Sequence, residues 1–273
     1  GAGTGQAPYH TTIHADGDVT PFELSSSSGR LVFSYIIFKH SMNDLRHAFN
    51  IPSFKGGLIF DNCQFLNESS NSNCHGFNCE DINSDLSGVM LQFRRCYFKG
   101  CSGFGAQIGT PSSKINYTVQ FINCQFFHNK MGNVRLYNIR NALFLGNIFH
   151  GGGKGIVLSG TDCSGATIMH NTIDGVGESS DGIDITAQSS QNGLIIRNNI
   201  ICRHTRYGIN CDSNQEDGYS IIDHNAMPID EVWKNVQGSY SPFFSVAGRE
   251  PVGIHDVTDA PNFMRTNEEL IED

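Results

Sequence analysis

The sequence predicts a single-domain, all-β fold, a parallel β-helix of about eight to nine turns with an irregular C-terminal tail. Three observations predict it: an apolar octapeptide that recurs along the chain, a short alternating strand after most copies, and an excess of turn-forming residues. The chain has 30 Gly and 25 Asn among its 273 residues. Both residue types are poor helix formers and frequent in tight turns. The composition therefore favours short strands over a helical bundle.

The octapeptide occurs eight times at intervals close to one turn of such a coil. The copies begin at Leu31, Leu58, Leu91, Val119, Ala142, Ala166, Leu194 and Ser220. Their third and eighth positions are Phe in the early copies and mostly Ile in the later ones, as expected for columns that fill the interior of stacked turns. After Ile36, the sixth position is Cys63, Cys96, Cys124, Asn147, Asn171, Asn199 and Asn225. This column predicts a ladder of buried side chains that satisfies backbone groups at a corner of the coil.

A short segment follows most copies and alternates apolar, variable and apolar residues. These segments are residues 49–51, 77–79, 106–108, 134–136, 156–158, 183–185 and 209–211. The alternation is that of a strand with one buried face, and parallel crossovers are right-handed by strong preference. A leucine-rich solenoid is the alternative, but its LxxLxL motif is missing. We expect an N-terminal extension over residues 1–11, the coil over 12–227, and a tail over 228–273 that packs on the coil.

Charge and cysteine content limit the possible partners. The net charge is −9 and only 16% of residues are charged, which argues against a nucleic-acid partner because such partners require basic patches. No apolar run approaches the roughly 20 residues of a spanning helix, so no membrane span is expected. The nine cysteines are odd in number and form no CxxC pair. We therefore expect buried free thiols.

The Asn column and the repeated HNTI (residues 170–173), NNII (198–201) and GI-x-I motifs resemble the pectate-lyase-like right-handed parallel β-helix superfamily. The resemblance covers residues 12–227, with no specific enzyme family matched. Residues 255–263 also look like the tail of many secreted bacterial β-helix proteins. The resemblance implies a secreted, extracellular or cell-surface protein, or a component of a virion tail.

In that superfamily the Asn ladder lies between the second and third sheets, and the substrate groove lies on the outer face of the first sheet. The matching groove floor here would be Glu23, Asn50, Asn78, Gln107, Arg135, Val157, Asp184 and Asn210, flanked by Glu80, Tyr137, Thr186 and Asp212. Amide, carboxylate, guanidinium and phenol groups in a row suit a polyhydroxylated chain. The expected polysaccharide-binding residues are Asn78, Glu80, Gln107, Tyr137, Lys154, Asn210 and Arg206. The alternative is an ordinary solvated strand face.

Residues 179–185 (SSDGIDI) are similar to the NTDGIDI segment of polygalacturonases, whose aspartates act as acid and base. Asp181 and Asp184 match it. The next turn lacks the family's second aspartate pair, and the G-H-G and R-I-K segments are absent, so polygalacturonase activity is not expected. Asp184 and Asp212 on adjacent turns would still suit glycoside hydrolysis, which requires two carboxyl groups about 5–9 Å apart. An Asp-Gly turn can equally be purely structural.

A lyase instead requires a base and a cation that neutralises a uronate. Arg135 and His204 are the candidates, with Lys154 and Arg206 on or near the same edge, although no lyase motif accompanies them. No cofactor is expected. His150 and Asp174, in one column with Cys202, offer a site for a divalent cation, against the alternative of plain surface residues.

Two function classes remain open at this stage, because fold alone does not decide function. One is a polysaccharide hydrolase or lyase, and the other is a non-catalytic glycan-binding or tailspike-like adhesin module. The second octapeptide position is largely apolar although it faces outward, and it holds Val32, Ile59, Gln92, Gln120, Leu143, Thr167, Ile195 and Ile221. We therefore expect a cover. The tail, with Trp233, Phe243 and Phe244, is one cover and a neighbouring subunit is the other. The protein is therefore expected to be a monomer or a homotrimer.

Overall fold

The computed structural model describes residues 11–15, 19–25, 29–41, 46–53, 56–81, 90–111, 118–176, 180–186, 193–211, 220–229, 232, 234–241 and 253–259. In chain order the strands are β1 (Thr11–Ala15), β2 (Glu23–Ser25), β3 (Arg30–Ser34), β4 (Ile36–His40), β5 (Phe49–Ser53), β6 (Gly57–Asp61), β7 (Gln64–Asn67), β8 (Phe77–Asp81), β9 (Met90–Arg94), β10 (Tyr97–Lys99), β11 (Phe104–Ile108), β12 (Thr118–Ile122), β13 (Gln125–Phe127), β14 (Gly132–Tyr137), β15 (Leu143–Leu145), β16 (Ile148–His150), β17 (Lys154–Ser159), β18 (Thr167–Met169), β19 (Thr172–Asp174), β20 (Ile183–Ile185), β21 (Ile195–Arg197), β22 (Ile200–Cys202), β23 (Tyr207–Cys211), β24 (Ile221–Asp223) and β25 (Gly238–Tyr240). The described part of the chain contains no helix.

The strands form three parallel sheets, and each turn of the chain adds one strand to each sheet. The first sheet has the order β2-β5-β8-β11-β14-β17-β20-β23-β25. The second runs from β3 through β6, β9, β12, β15, β18 and β21 to β24. The third runs from β1 through β4, β7, β10, β13, β16 and β19 to β22. Neighbouring strands are about one turn apart in the sequence, which confirms the predicted parallel β-helix.

Each of the first seven octapeptides spans one strand of the second sheet, a sharp corner and one strand of the third sheet. The eighth pairs with the third sheet only through Ala226. At the fifth position the backbone has positive φ in all eight copies, at Tyr35, Asn62, Arg95, Asn123, Gly146, His170, Asn198 and His224. Gly and Asn adopt this left-handed conformation most easily, which explains their recurrence there. This column of positive φ values was not predicted from the sequence.

The asparagine ladder, formed by Asn147, Asn171, Asn199 and Asn225, lies buried at that corner. Nδ2 of Asn147 donates to Oδ1 of Asn171, and Nδ2 of Asn171 donates to Oδ1 of Asn199, both at 2.9 Å. Backbone N–H groups of the ladder also donate to the next Oδ1, at 2.9 Å from Asn147 and 3.0 Å from Asn171. The ladder therefore satisfies side-chain and backbone groups together, as predicted.

The three cysteines in the same column repeat one contact of the ladder. Sγ of Cys124 donates to the carbonyl of Phe93 at 3.4 Å, and Nδ2 of Asn171 donates to the carbonyl of Phe144 at 3.1 Å. In both cases the acceptor is the third residue of the preceding octapeptide. All nine cysteines of the chain are buried and none forms a disulfide, as predicted. Burial raises the pKa of the Cys101 thiol to about 12, which makes it unreactive.

Stacked aromatic rings fill the N-terminal half of the coil. In the second-sheet column Phe93 stacks on Phe121 with ring centroids 4.8 Å apart, and Phe121 stacks on Phe144 at 5.3 Å. Toward the C-terminus the same register continues with aliphatic residues, for example Phe144 beside Ile168. Rings of one turn also pack edge-on against each other, as Phe121 does against Phe126 at 5.7 Å. Each ring is thus buried by its own turn and by the turns above and below, which is why the repeat must be regular.

The described part of the tail continues the coil. β25 pairs with β23 in the first sheet, and Ala226 pairs with Val257. This part does not cover the outward apolar column of the second sheet, because Ile221 remains 50% exposed. The aromatic residues expected to cover that column lie outside the described residues, as does Asp212.

Candidate functional site

The outer face of the first sheet carries the predicted row of polar side chains in register. Hydrogen-bonded register joins Asn50 to Asn78, Asn78 to Gln107, and Gln107 to Arg135. It continues from Arg135 through Val157 to Asp184. Successive positions are therefore one strand spacing apart, about 4.8 Å. The predicted first-sheet row exists as a continuous line of side chains.

The N-terminal part of the row is tied together by hydrogen bonds. Asn78 is buried and donates through Nδ2 to Oδ1 of Asn50 at 2.9 Å and to Oε1 of Glu80 at 3.1 Å. Glu80 is exposed and Gln107 is half-buried. This part of the row offers solvent an amide and a carboxylate.

In the middle of the row, Arg135 lies on an aromatic surface. Its guanidinium carbon is 4.2 Å from the ring centre of Phe104 and 5.5 Å from that of Tyr137. Nη1 donates to the Tyr137 hydroxyl at 3.2 Å. The guanidinium contacts both rings while Arg135 stays half-buried, so it can bind a carboxylate or a sugar hydroxyl. Phe104 was not predicted as a site residue, because it begins β11 two residues before the alternating segment 106–108.

Phe104 finds room because Gly132 follows it in register on the next turn. A Cβ at position 132 would lie 2.5 Å from the Phe104 ring, and Gly132 has a φ of 156°, which glycine adopts without strain. The aromatic surface under Arg135 therefore requires both Phe104 and the glycine at position 132. The signal in the sequence was a glycine at the start of a strand.

Toward the C-terminus the row ends in a cluster of two carboxylates and two cations. Asp181 and Asp184 are fully buried as side chains. Lys154 Nζ forms an ion pair with Asp184 and lies 4.0 Å from Oδ2 of Asp181. Arg206 Nη1 lies 3.2 Å from the same Oδ2. The four predicted residues lie together, with both cations on the solvent side.

Further hydrogen bonds fix the two carboxylates. Asn210 donates through Nδ2 to Oδ1 of Asp184 at 2.9 Å, and the Tyr207 N–H donates to Oδ1 of Asp181 at 3.3 Å. Burial raises the pKa of Asp181, and the negative charge of Asp184 adds to that effect, against the opposing contacts from Tyr207, Arg206 and Lys154. Asp181 therefore holds a proton more readily than an ordinary aspartate. Asp184 is the partner neutralised by Lys154.

His204 does not join this cluster. Its ring is buried in the interior, and Nε2 lies 3.3 Å from the carbonyl of Ile173. A Cβ placed on Gly182 would meet that Nε2 at 3.0 Å. Burial lowers the pKa of His204 to about 4, so the ring is neutral at pH 7. Its position corrects the expectation of an accessible base at this edge: it supports the Asp-Gly turn from beneath.

At the predicted cation site of His150 and Asp174, the Asp174 carboxylate binds an arginine. His150 Nδ1 lies 3.4 Å from Oδ2 of Asp174, and Arg203 binds both oxygens of the same carboxylate. Cys202 is buried beside them. A guanidinium at both carboxylate oxygens already supplies the positive charge that a cation would bring, so this geometry does not favour a divalent ion there.

Comparison with known proteins supports the fold. Residues 111–226 match the family model of the right-handed β-helix region. Together with the three parallel sheets, this match identifies the fold as a right-handed parallel β-helix. No curated protein and no solved structure matched the chain significantly. The described residues contain no helix able to span a bilayer.

Proposed function

We propose that this β-helix protein binds a polysaccharide along the outer face of its first sheet and hydrolyses it. The observation that carries the proposal is the buried pair Asp181 and Asp184, which shares Lys154 at the end of a polar row. A linear ligand with many hydroxyl groups requires hydrogen-bonding side chains at regular spacing. The row of Asn78, Gln107 and Arg135 offers such spacing.

Hydrolysis is the reaction that the cluster supports best. Glycoside hydrolysis uses one carboxyl group that keeps its proton and a second that stays ionised. Asp181, with its raised pKa, suits the acid that protonates the leaving oxygen. Asp184, bound by Lys154 and Asn210, suits the second carboxyl group, which acts as nucleophile or activates water. Substrate must displace Lys154 and Arg206 from the solvent side to reach these carboxylates.

Lyase chemistry has weaker support. It requires a free base beside the uronate carbon, and the predicted histidine base is buried in the interior. Arg135 retains the role of binding an acidic or neutral sugar, about two strand spacings from Asp184.

The second candidate is a non-catalytic glycan-binding module, and one observation favours it. Both carboxylates of the cluster have no exposed side-chain surface, so the groups that meet solvent are Lys154 and Arg206. In that case the ion-paired cluster would only stabilise the sheet, and the ligand would contact the cations, Arg135 and Tyr137.

The test incubates the full chain with a panel of neutral and acidic polysaccharides. New reducing ends would report hydrolysis, unsaturated-uronate absorbance would report elimination, and affinity electrophoresis would report binding. We expect Asp184→Asn and Asp181→Asn to lower hydrolysis at least about 100-fold, the usual scale for loss of an acid or base. We expect Arg135→Ala to weaken binding.

Asp61→Asn is the matched control, because Asp61 forms an exposed ion pair with Arg95 on the second sheet. It should change neither hydrolysis nor binding. Binding that survives Asp184→Asn, without product from any substrate, would establish the non-catalytic candidate. Absence of both binding and product across the panel would overturn the proposal.

A further inference from the structure

A cluster of two histidines and one aspartate lies at the C-terminal end of the coil, away from the first-sheet row. Asp223 ends β24, His224 occupies the following corner, and His255 belongs to the segment 253–259. One ligand atom from each residue lies within 4.8 Å of the other two. The side chains of His224 and His255 are 43% and 59% exposed, so an ion has direct access to them.

The contacts within the cluster centre on one carboxylate oxygen. Nδ1 of His255 lies 2.6 Å and Nδ1 of His224 lies 3.2 Å from Oδ2 of Asp223. The backbone N–H of His255 donates to Oδ1 of the same carboxylate at 2.8 Å. The two imidazole rings stack with centroids 4.8 Å apart. Two imidazole nitrogens and one carboxylate oxygen therefore converge as potential ligand atoms at this end of the coil.

We propose that Asp223, His224 and His255 form a binding site for a divalent transition-metal ion of the zinc type. Imidazole nitrogen is a ligand for zinc, cobalt and nickel, whereas magnesium and calcium prefer oxygen alone. Ligand atoms in a tetrahedral zinc site are about 3.4 Å apart, given bonds of about 2.1 Å. The observed atoms need to move by roughly 1 Å to reach this arrangement, and two exposed rings permit it. Water completes the coordination.

Metal binding at this position would fasten the end of the coil. The segment 253–259 is held to the last turn by backbone hydrogen bonds, from Gly253 N–H to the Ile222 carbonyl at 3.0 Å and from Val257 N–H to the Asn225 carbonyl at 2.8 Å. An ion would add a link between residues 223–224 and 255. Because it binds only when these parts are together, it stabilises the folded end, by an amount that grows with the logarithm of its concentration above the dissociation constant.

Arg197 supplies an internal check on the site. Its Nη2 lies 3.3 Å from Nδ1 of His224, the nitrogen that would bind the ion. A metal must displace this guanidinium and overcome its positive charge. Arg197→Gln should therefore bind the ion more tightly than the unchanged protein, at least severalfold.

The main experiment titrates chelator-treated full-length protein with zinc chloride in a calorimeter. We expect one tight equivalent, a higher unfolding temperature with zinc, and no comparable binding of magnesium. His255→Gln and His224→Asn should each weaken the tight site at least about tenfold, since loss of even an outer-shell partner costs 10- to 100-fold. His170→Asn is the matched control, because His170 has the same corner position and positive φ two copies earlier. It should leave the tight site unchanged.

A second measurement uses the unsubstituted protein and does not depend on the stability of any variant. Cobalt chloride should produce visible absorption bands that zinc abolishes, and zinc should shift the ring-proton resonances of His224 and His255 before those of other histidines. Unchanged zinc affinity in both histidine variants, equal binding of magnesium, or zinc-induced shifts at other histidines first would overturn the proposal.

Discussion

Replacing Asn171 by Ala removes a central member of the asparagine ladder. The substitution deletes four side-chain hydrogen bonds: two that Nδ2 donates, to Asn199 and Phe144, and two that Oδ1 accepts from Asn147. It leaves the Asn147 N–H and the Phe144 carbonyl without these partners in a buried corner. Each stranded buried group costs about 1–3 kcal/mol. We expect a loss of about 3–5 kcal/mol in the free energy of unfolding.

Asn171→Cys is the matched comparison, because the chain itself places Cys124 in this column. A thiol at position 171 can donate to the Phe144 carbonyl, as Cys124 does to Phe93. It cannot accept well from Asn147, so only part of the loss should return. We expect the Cys variant to lose about 1–2 kcal/mol less than the Ala variant.

The assay is urea unfolding followed by far-UV circular dichroism, combined with native-state hydrogen exchange. The Asn147 amide should exchange faster in both variants, since its acceptor is gone in both. A loss below about 1 kcal/mol for Ala would refute the reasoning, because it would mean that the corner groups find other partners. Equal losses for Ala and Cys would refute the role assigned to the thiol.

Three further predictions concern packing and charge. Phe121→Ala opens the ring stack and should cost about 3–5 kcal/mol in unfolding free energy, measured by urea titration. Gly155→Ala should lower the unfolding temperature, because its Cβ would lie 2.2 Å from a backbone oxygen of the next turn, whereas Gly57→Ala, with 3.5 Å to its nearest neighbour, should be close to neutral. Burial raises the pKa of Asp174, but hydrogen bonds from His150 and Arg203 outweigh it and hold that pKa well below its usual range. A carboxyl group with a depressed pKa stabilises the fold at pH values above the ordinary aspartate pKa, and this stabilisation is lost as the pH falls. The difference in unfolding free energy between the protein and Arg203→Gln should therefore shrink from pH 5 to pH 2. A gap independent of pH would contradict this assignment.

The fold was largely predictable from the sequence because its interactions repeat. Phe60, Phe93 and Phe121 occupy one octapeptide position, and the structure pairs them in register. A parallel coil places equivalent residues one above another, so a pattern along the chain becomes a column in space. The corner φ values were not predictable, since Tyr35 and Arg95 are not residues that favour positive φ. At these two positions only the geometry of the corner requires a positive φ.

The row of outward side chains in the candidate site was predictable from the sequence, but the ion pairs and hydrogen bonds between them were not. Lys154 and Asp184 were both named from the pattern, yet their ion pair depends on where a strand of one turn begins relative to the next. Alternation assigned residues to the inner or outer face within strands and failed at the corners. His204 lies two residues after the end of β22, outside the alternation, and its ring is buried.

The sequence by itself determined the coil, its three sheets, the buried columns of Phe and Ile and the polar face of the first sheet. All of these follow from residue type at a repeated interval, because burial and hydrogen bonding act identically on each turn. The tertiary structure alone decided which charges meet. It placed two cations over Asp181 and Asp184, moved His204 inside, and brought His255 to Asp223 across 32 residues. Such contacts join positions outside the repeat, and no period in the sequence encodes their distance.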